Sequence, residues 1–225
     1  MVQVVLFDID GTLIRTGGAG VESFSRASAL VLGRPNVTHG IHFHGRTDTG
    51  IWREILQKEQ LPQTNAEKNR FFEAYLFLLD ERLSQNPGKE LPGVRSFIHD
   101  LQGLPNPPLL GLLTGNIRVG AELKLRAHGL WNYFHTGAFG DDHEDRNRLA
   151  AIAQERSEFW LSKPLNGSEI IIVGDTPHDI ACAQAINAKS LAVTTGDFTS
   201  DDLRQHQPTW ISSCLGDIPV KTLVR

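Results

Sequence analysis

Short apolar runs that alternate with segments of helical periodicity constrain the fold of this chain more than any other feature. The first run spans residues 2–7, is rich in β-branched residues and lacks the regular polar alternation of a half-exposed strand. A strand that is buried on both faces of a parallel sheet has this composition. Comparable runs occur at 109–113, 170–173 and 191–193, with a weaker one at 209–211.

Helical patterning fills the intervals between most of these runs. It covers residues 94–104, 119–128, 146–161 and 179–187. Strands that alternate with helices at this spacing are joined by right-handed crossovers, which place helices on both faces of one sheet. The pattern therefore predicts an α/β fold built on a doubly wound, Rossmann-type parallel sheet.

One long segment interrupts the alternation. It carries helical patterning and no convincing strand, and its three predicted helices cover residues 21–32, 49–57 and 66–83. Glycine and proline clusters border the segment on both sides. The predicted organisation is an α/β core formed by residues 1–15 and 92–225, with an inserted helical module at 16–91. The alternative is that the three helices simply pack on the sheet.

Composition argues against several classes of function. A formal net charge of −4, without a dense lysine and arginine stripe, indicates no nucleic-acid partner. No apolar stretch is long enough to span a bilayer, so a membrane partner is not expected either. Cys182 and Cys214 form no Cys-x-x-Cys pair and predict neither a disulfide framework nor a thiolate zinc site. Since the first strand-like run begins at Val2 and leaves no room for a signal peptide, we expect a cytoplasmic protein.

Acidic and hydroxyl side chains follow three of the predicted strands. Asp8 and Asp10 come directly after the first run, Thr114 ends the run at 109–113, and Asp175 follows the run that begins at Ile170. Ligands of open α/β sheets bind beyond the carboxyl ends of the strands, so these side chains are expected to converge on one site. An ordinary turn after the first strand is the simpler interpretation of Asp8 and Asp10 taken alone.

Crowded carboxylates predict a bound cation. Carboxylates that share a site resist ionisation unless a positive charge compensates them. Oxygen ligands without a nearby histidine or cysteine favour Mg²⁺, which binds few carboxylates and keeps several waters. A calcium loop is disfavoured because Gly11 comes too early and the later acidic ligand is missing.

Three sequence motifs carry a family resemblance. Residues 7–13 read FDIDGTL, residues 112–116 read LLTGN, and residues 173–179 read VGDTPHD. They resemble the first, second and fourth motifs of the haloacid dehalogenase (HAD) superfamily of aspartate-nucleophile phosphatases. The chain is similar to the phosphoglycolate phosphatase-like branch, whose members carry a helical cap. The resemblance covers nearly the whole chain, implies a HAD-like core and makes the module at 16–91 the cap.

The resemblance implies a covalent mechanism. Asp8 would attack phosphorus, form an aspartyl-phosphate and also bind Mg²⁺. Asp10 would protonate the leaving oxygen, deprotonate the water that hydrolyses the intermediate, and ligate the metal through its backbone carbonyl. Nucleophilic catalysis of this kind splits the reaction into two steps, while the metal and hydrogen-bond donors neutralise the phosphoryl oxygens.

The resemblance also implies roles for residues of the second and fourth motifs. Thr114 and the backbone N–H groups that follow it, at Gly115 and Asn116, would hold the phosphoryl oxygens. Asp175 would be a further metal ligand, and Asp179 would support Asp175 without binding the metal itself.

Asp10 separates two chemistries within the family. A departing halide needs no proton, whereas the alkoxide of a phosphate ester needs one, and a positioned carboxylic acid can deliver it. The presence of Asp10 therefore predicts phosphoryl transfer rather than dehalogenation.

The third motif departs from the family pattern. Most members place a lysine at the start of the helix before the fourth motif, but residues 140–149 read GDDHEDRNRL. Arg146 opens the predicted helix and is the expected substitute, because an arginine stays charged and makes forked contacts with carboxylate and phosphate. Arg148 is the alternative. The acidic residues of this loop could add a metal ligand, although a solvated loop is the simpler interpretation.

The helical module contributes one candidate substrate contact. Arg46 follows His39, His42 and His44 in a predicted cap loop, where it could meet an anionic group such as the carboxylate of phosphoglycolate. The histidine spacing fits no zinc pattern. Asp48 resembles an N-cap for the next helix. Phe71, Phe72, Tyr75 and Phe77 are expected to form the core of the module.

The sequence thus predicts a Mg²⁺-dependent phosphatase that hydrolyses a small phosphorylated metabolite, with phosphoglycolate as the named candidate. A phosphomutase is the enzymatic alternative. A phosphonatase would need a cap lysine that forms an imine, and Lys58, Lys68 and Lys89 lie in no persuasive context. A non-catalytic phospholigand-binding protein is a further alternative, which the retained Asp8 and Asp10 disfavour.

Overall fold

A central parallel sheet organises the computed structural model, which describes residues 1–224 of the 225-residue chain. The predicted end of the core, Arg225, lies outside the described residues. The strands, in chain order, are β1 (Val4–Phe7), β2 (Ile14–Arg15), β3 (Lys89–Glu90), β4 (Leu109–Leu113), β5 (Thr136–Ala138), β6 (Ile170–Gly174), β7 (Lys189–Val193) and β8 (Trp210–Ser212). Six of them form one sheet in the order β5-β4-β1-β6-β7-β8, and every neighbouring pair is parallel.

Helices connect the strands and extend the chain. They are α1 (Ala19–Leu32), α2 (Asp48–Lys58), α3 (Asn65–Gln85), α4 (Val94–Gln102), α5 (Arg118–Arg126), α6 (Arg146–Leu161), α7 (Pro177–Ala185), α8 (Ser200–Arg204) and α9 (Val220–Leu223). None of the helices between residues 1 and 224 combines the length and the apolar character needed to cross a bilayer.

The two faces of the sheet pack into separate apolar clusters. Val5 and Phe7 of β1 belong to one cluster, which includes buried residues of α4, α5 and α9. Val4 and Leu6 belong to the other, which includes buried residues of α6 and α7. Successive side chains of a strand point to opposite faces, so a strand covered by helices on both sides is apolar throughout. The predicted doubly wound α/β fold is confirmed.

Helices α1, α2 and α3 build most of a third apolar cluster, to which Ile117 and Leu123 of the sheet domain also contribute. Its centre is aromatic: the rings of Trp52 and Phe71 stack with centroids 4.2 Å apart, and Phe24 packs edge-on against Phe71. Phe72 and Tyr75 are buried here as expected, but the prediction for Phe77 was wrong, because its side chain is 74% exposed. Phe77 lies on the exposed face of α3.

The chain leaves and re-enters the sheet domain through a small antiparallel pair. Ile14 and Arg15 of β2 pair with Glu90 and Lys89 of β3. The glycine beside this pair, Gly88, has φ 85°, and a Cβ there would overlap the carbonyl oxygen of Arg15. The proposed borders of the helical module, 15/16 and 91/92, lie beside this ribbon and stay a prediction.

Candidate active site

The carboxyl ends of β1, β4 and β6 open into a cavity of about 400 Å³. Phe7 is in register with Leu112 and with Val173, so the residues that follow these positions reach the same edge of the sheet. The structure brings Asp8, Asp10, Thr114, Arg146 and Asp175 together in the cavity wall. Side chains of α1, α2 and α3 line the opposite wall, among them Phe24, Ile51 and Tyr75.

Three buried carboxylates form the floor of the cavity. Oxygen atoms of Asp8, Asp175 and Asp179 all lie within 4.8 Å of one another. Burial raises the pKa of Asp8 to about 7, with the nearby Asp179 adding to the effect while Arg146 opposes it. Burial and the repulsion from Asp179 and Asp8 raise the pKa of Asp175 well above its usual range. These carboxylates therefore need a counter-charge in order to be ionised together.

Arg146 supplies part of that counter-charge. It is the first residue of α6, where the side chain of Asp145 caps the helix by accepting a hydrogen bond from the N–H of Asn147. The buried guanidinium donates to Asp179 through Nη2, which lies 3.6 Å from Oδ2 of Asp8. Its Nε has no hydrogen-bond partner among the described residues and is a free donor. Arg148, the alternative from the sequence, is exposed.

The acidic loop before α6 has other partners. Asp142 accepts from Arg156, with Nη1 and Oδ2 2.6 Å apart, and Glu144 pairs with Arg53, with Nη2 and Oε1 2.8 Å apart. Within residues 1–224, the buried carboxylate cluster includes neither residue. The structure thus favours the simpler interpretation of this loop.

The carboxylate cluster fits a hard divalent cation. Three aspartates against the single guanidinium of Arg146 leave two negative charges uncompensated when all are ionised. The donor set contains only oxygen, which suits Mg²⁺ better than zinc or copper. Gly11, with φ 84°, lies so close to the Asp175 carboxylate that a Cβ would overlap it, so a side chain there would displace this carboxylate.

Donors for an anion lie beside the carboxylates. Thr114 is fully buried, and its Oγ1 accepts from the side-chain amide of Asn116 at 2.9 Å, so its own O–H remains available. The N–H of Gly115 has no acceptor within the described chain. The backbone N–H of Asn116 donates to Oγ1 of Thr114 at 3.3 Å, and its side-chain amide donates to Asp10 at 2.8 Å. A role for the Asn116 N–H in holding a phosphoryl oxygen stays a prediction.

A loop of the helical module contacts residues 114–117, which we call the donor segment. The N–H of Asp48 donates to the carbonyl of Gly115 at 2.8 Å, and Oδ2 of Asp48 accepts from the N–H of Ile117 at 2.9 Å. The prediction that Asp48 caps α2 was wrong: Thr47 is the N-cap and accepts from the N–H of Gly50. The carboxylate of Asp48 instead accepts the hydrogen bond from Ile117. The two residues are distant in sequence, so a local sequence pattern does not reveal this contact.

Arg46 lines the cavity, but its guanidinium is already paired. It forms an ion pair with Glu54 and donates to the carbonyl of His42 at 3.5 Å. Its role in binding a substrate anion stays a prediction.

The close contact between Gly115 and this loop predicts that a side chain at position 115 would disturb the site. A Cβ on Gly115 would overlap the carbonyl oxygen of Arg46, so a Gly115→Ala variant cannot keep both the loop and the donor segment in place. Because a displacement of about 1 Å at a reacting centre costs about 100-fold, we expect kcat/KM for the reaction at this site to fall by that order.

Steady-state kinetics on Gly115→Ala should be compared with Gly103→Ala. Gly103 ends α4 with ordinary helical angles, and its nearest contact would be an ordinary 3.4 Å. Equal rates for the two variants would mean that the docked loop does not constrain the donor segment.

The structure adds a site residue that the sequence did not reveal. Lys124 of α5 is buried, and its Nζ lies 2.6 Å from Oδ2 of Asp10 and 2.7 Å from Oδ1 of Asn116. A signal was present, because Ala121, Lys124 and Leu125 have the helical spacing of one face, and a lysine between two apolar residues there is unusual.

Comparison with known proteins gives the site a context. Residues 5–193 match the model of the family described as haloacid dehalogenase-like hydrolase. The chain is 25% identical over 235 residues to "Probable phosphatase IndB" of Dickeya dadantii (strain 3937), covering 97% of this chain and 92% of that protein.

Two solved structures show the same fold. A predicted phosphoglycolate phosphatase from Haemophilus somnus 129PT superposes with a TM-score of 0.74, at 21% identity and over 98% of both chains. CbbY from Rhodobacter sphaeroides, solved in complex with phosphate, superposes with a TM-score of 0.71, at 13% identity and over 96% of both chains.

Proposed function

The chain belongs to the haloacid dehalogenase-like hydrolases, and from that premise we propose that it is a phosphatase acting on a small phosphomonoester through an aspartyl-phosphate. The observation that carries the proposal is the position of Asp8. Its carboxylate shares the cavity with the guanidinium of Arg146, the hydroxyl of Thr114 and the free N–H of Gly115. A nucleophile beside a cation and neutral donors suits attack on a phosphoryl group.

The proposed reaction has two halves. In the first, a carboxylate oxygen of Asp8 bonds to phosphorus, and the ester oxygen leaves with a proton from Asp10. In the second, Asp10 takes a proton from water as the water oxygen bonds to phosphorus and the bond to Asp8 breaks. Thr114, Gly115 and Arg146 hold the phosphoryl oxygens throughout, and their positive charge and dipoles favour the crowded transition state.

We assign the metal to the carboxylate floor. Asp8 and Asp175 would hold Mg²⁺ together with the backbone carbonyl of Asp10, while Asp179 keeps Arg146 and the hydroxyl of Thr176 in place. When bound, the ion supplies positive charge against the phosphoryl oxygens.

Metal removal tests this proposal. After dialysis against a chelator, we expect phosphate release from a panel of phosphomonoesters to fall by at least about 100-fold, and added Mg²⁺ to restore it. Ca²⁺ should restore little, because it prefers a larger and more irregular oxygen shell. Full activity in the metal-free protein would contradict the assignment.

The same panel separates the competing functions. A phosphomutase would convert its substrate to an isomer and require a bisphosphate activator, whereas a phosphatase releases free phosphate. A phospholigand-binding protein would retain phosphate without turnover. A beryllium fluoride complex that forms at Asp8 would support the covalent intermediate.

Phosphoglycolate is the candidate substrate that the panel must include. Its support is the sequence resemblance to that branch and the position of Arg46 at the cavity wall. The helical module would close over the cavity and exclude water during transfer, then open for release. Residence in the cytoplasm stays a prediction from the sequence.

A further inference from the structure

Lys124 is a buried cation that the proposed reaction leaves without a role. Its relative exposure is 4%, and it lies in the same helix face as the buried Ala121. Removing an ammonium group from water is costly unless acceptors compensate it. The contacts that hold Lys124 therefore indicate what the residue is for.

All of its hydrogen bonds go to two residues at the site. Nζ donates to Oδ2 of Asp10 at 2.6 Å and to Oδ1 of Asn116 at 2.7 Å. The amide of Asn116 in turn donates to the same Oδ2 of Asp10 at 2.8 Å. Lys124, Asn116 and Asp10 form a closed set of three, which we call the acid clamp.

The acid clamp treats the two oxygens of Asp10 differently. Oδ2 receives both donors, whereas Oδ1 accepts no hydrogen bond from any residue that the structure describes. The Asp10 side chain is 42% exposed and lines the cavity, so the free oxygen belongs to its accessible part. One oxygen is fixed, and the other is left for the substrate.

We propose that Lys124 is a positioning residue that, with Asn116, holds Asp10 so that Oδ1 is the atom that exchanges the proton. This rests on the proposed function, in which Asp10 acts as acid and then as base. In the first half, the proton moves from Oδ1 to the leaving oxygen, and the electron pair of the broken phosphorus–oxygen bond stays on that oxygen. In the second half, Oδ1 recovers a proton from the attacking water.

The charge of Lys124 also suits the product of proton donation. Once Oδ1 has given up its proton, Asp10 carries a negative charge, and an ammonium 2.6 Å from Oδ2 stabilises it. Among the residues that the structure describes, an apolar residue in place of Lys124 would leave Asn116 as the only donor to the Asp10 carboxylate and would leave Oδ1 of Asn116 without its partner. Proton transfer to the leaving oxygen should then become inefficient.

This loss should depend on the leaving group. An ester whose alcohol is a weak acid needs the proton during bond cleavage, whereas a strongly acidic phenol departs without it. Because every substrate shares the second half of the reaction, the comparison uses kcat/KM, which covers only the steps up to release of the phenol. The kcat/KM of Lys124→Met should fall by about 10- to 100-fold on phenyl phosphate and stay within about 3-fold of the parent on the most activated nitrophenyl ester. The logarithm of the rate should fall more steeply as the leaving phenol becomes less acidic.

The experiment compares four proteins on a series of aryl phosphates with saturating Mg²⁺. They are the parent, Lys124→Met, Asp10→Asn as the full loss of the acid, and Arg126→Met as the control. Arg126 lies on the same helix, with its side chain 60% exposed and paired with Glu122. The control should keep the parent dependence on the leaving group. Partial misfolding of Lys124→Met would lower all rates equally and leave this dependence unchanged.

A double variant completes the test. If Lys124 acts through Asp10, adding Lys124→Met to Asp10→Asn should change the rate on phenyl phosphate by less than about 3-fold. The reason is that both substitutions impair the same proton transfer, which Asp10→Asn alone already removes. A parent-like leaving-group dependence in Lys124→Met, or an undiminished effect in the double variant, would overturn the proposal. If Asp10→Asn itself keeps the parent dependence, the acid role of Asp10 fails, which is a separate failure of the proposed function.

Discussion

An Asp8→Asn variant is expected to lose at least about 10⁴-fold in phosphate release, the order seen when a covalent nucleophile is removed from other enzymes. The amide cannot form the acyl phosphate that carries the reaction. The fold should survive, because burial and the nearby Asp179 already disfavour the Asp8 charge and raise its pKa to about 7. Replacing this carboxylate with a neutral group of the same shape removes a repulsion in the metal-free protein.

Phosphate release and thermal unfolding should be measured together. We expect the midpoint of unfolding of metal-free Asp8→Asn to equal or exceed that of the parent while turnover disappears. Asp80→Asn is the matched control, since Asp80 is exposed on α3. Residual turnover in Asp8→Asn close to the parent rate would exclude Asp8 as the nucleophile, whatever its effect on stability.

Arg146→Ala should damage both activity and stability. The guanidinium is the counter-charge of two buried carboxylates, Asp8 and Asp179, and the loss of one partner of a buried pair costs about 3–5 kcal/mol. Protonation of Asp8 can relieve part of this cost, so we expect the lower end, about 3 kcal/mol in the free energy of unfolding. The rate of phosphate release should fall by about 100- to 1000-fold because a phosphoryl donor is lost.

Denaturant unfolding and steady-state kinetics on Arg146→Ala and Arg148→Ala provide the measurement. Arg148 is two residues further along the same helix and is exposed, so its removal should change neither quantity appreciably. An Arg146→Lys variant should recover part of the rate, since it restores the charge without the planar fork. Unchanged turnover in Arg146→Ala would remove this residue from the site.

The sheet was predictable because its central strands are buried on both faces. β1, β4, β6 and β7 each contain a short apolar run whose residues are all buried. β5 escaped prediction because it has three residues, one of them Gly137, which must lack a side chain to approach Leu112 of β4. Such an edge strand is defined by its neighbour rather than by its own composition.

The site was predictable to the extent that its residues follow strands. Asp8, Thr114 and Asp175 each directly follow one of three adjacent parallel strands, so the topology brings them to the same edge of the sheet. Lys124 and Asp48 reach the same cavity from helices, where the approach depends on how each helix packs. When a side chain on a helix contacts a distant part of the chain, the local sequence gives little indication of its partner.

The β2–β3 ribbon has a consequence for motion of the helical module. Two separate flexible tethers would let the module tumble about many axes, but backbone pairing of Ile14 with Glu90 and of Arg15 with Lys89 joins the tethers into one strap. A strap of this kind bends across its width far more easily than it shears along its length. We therefore expect any motion of the module to be restricted to essentially one axis, so that closure would return Asp48 to the same two backbone groups.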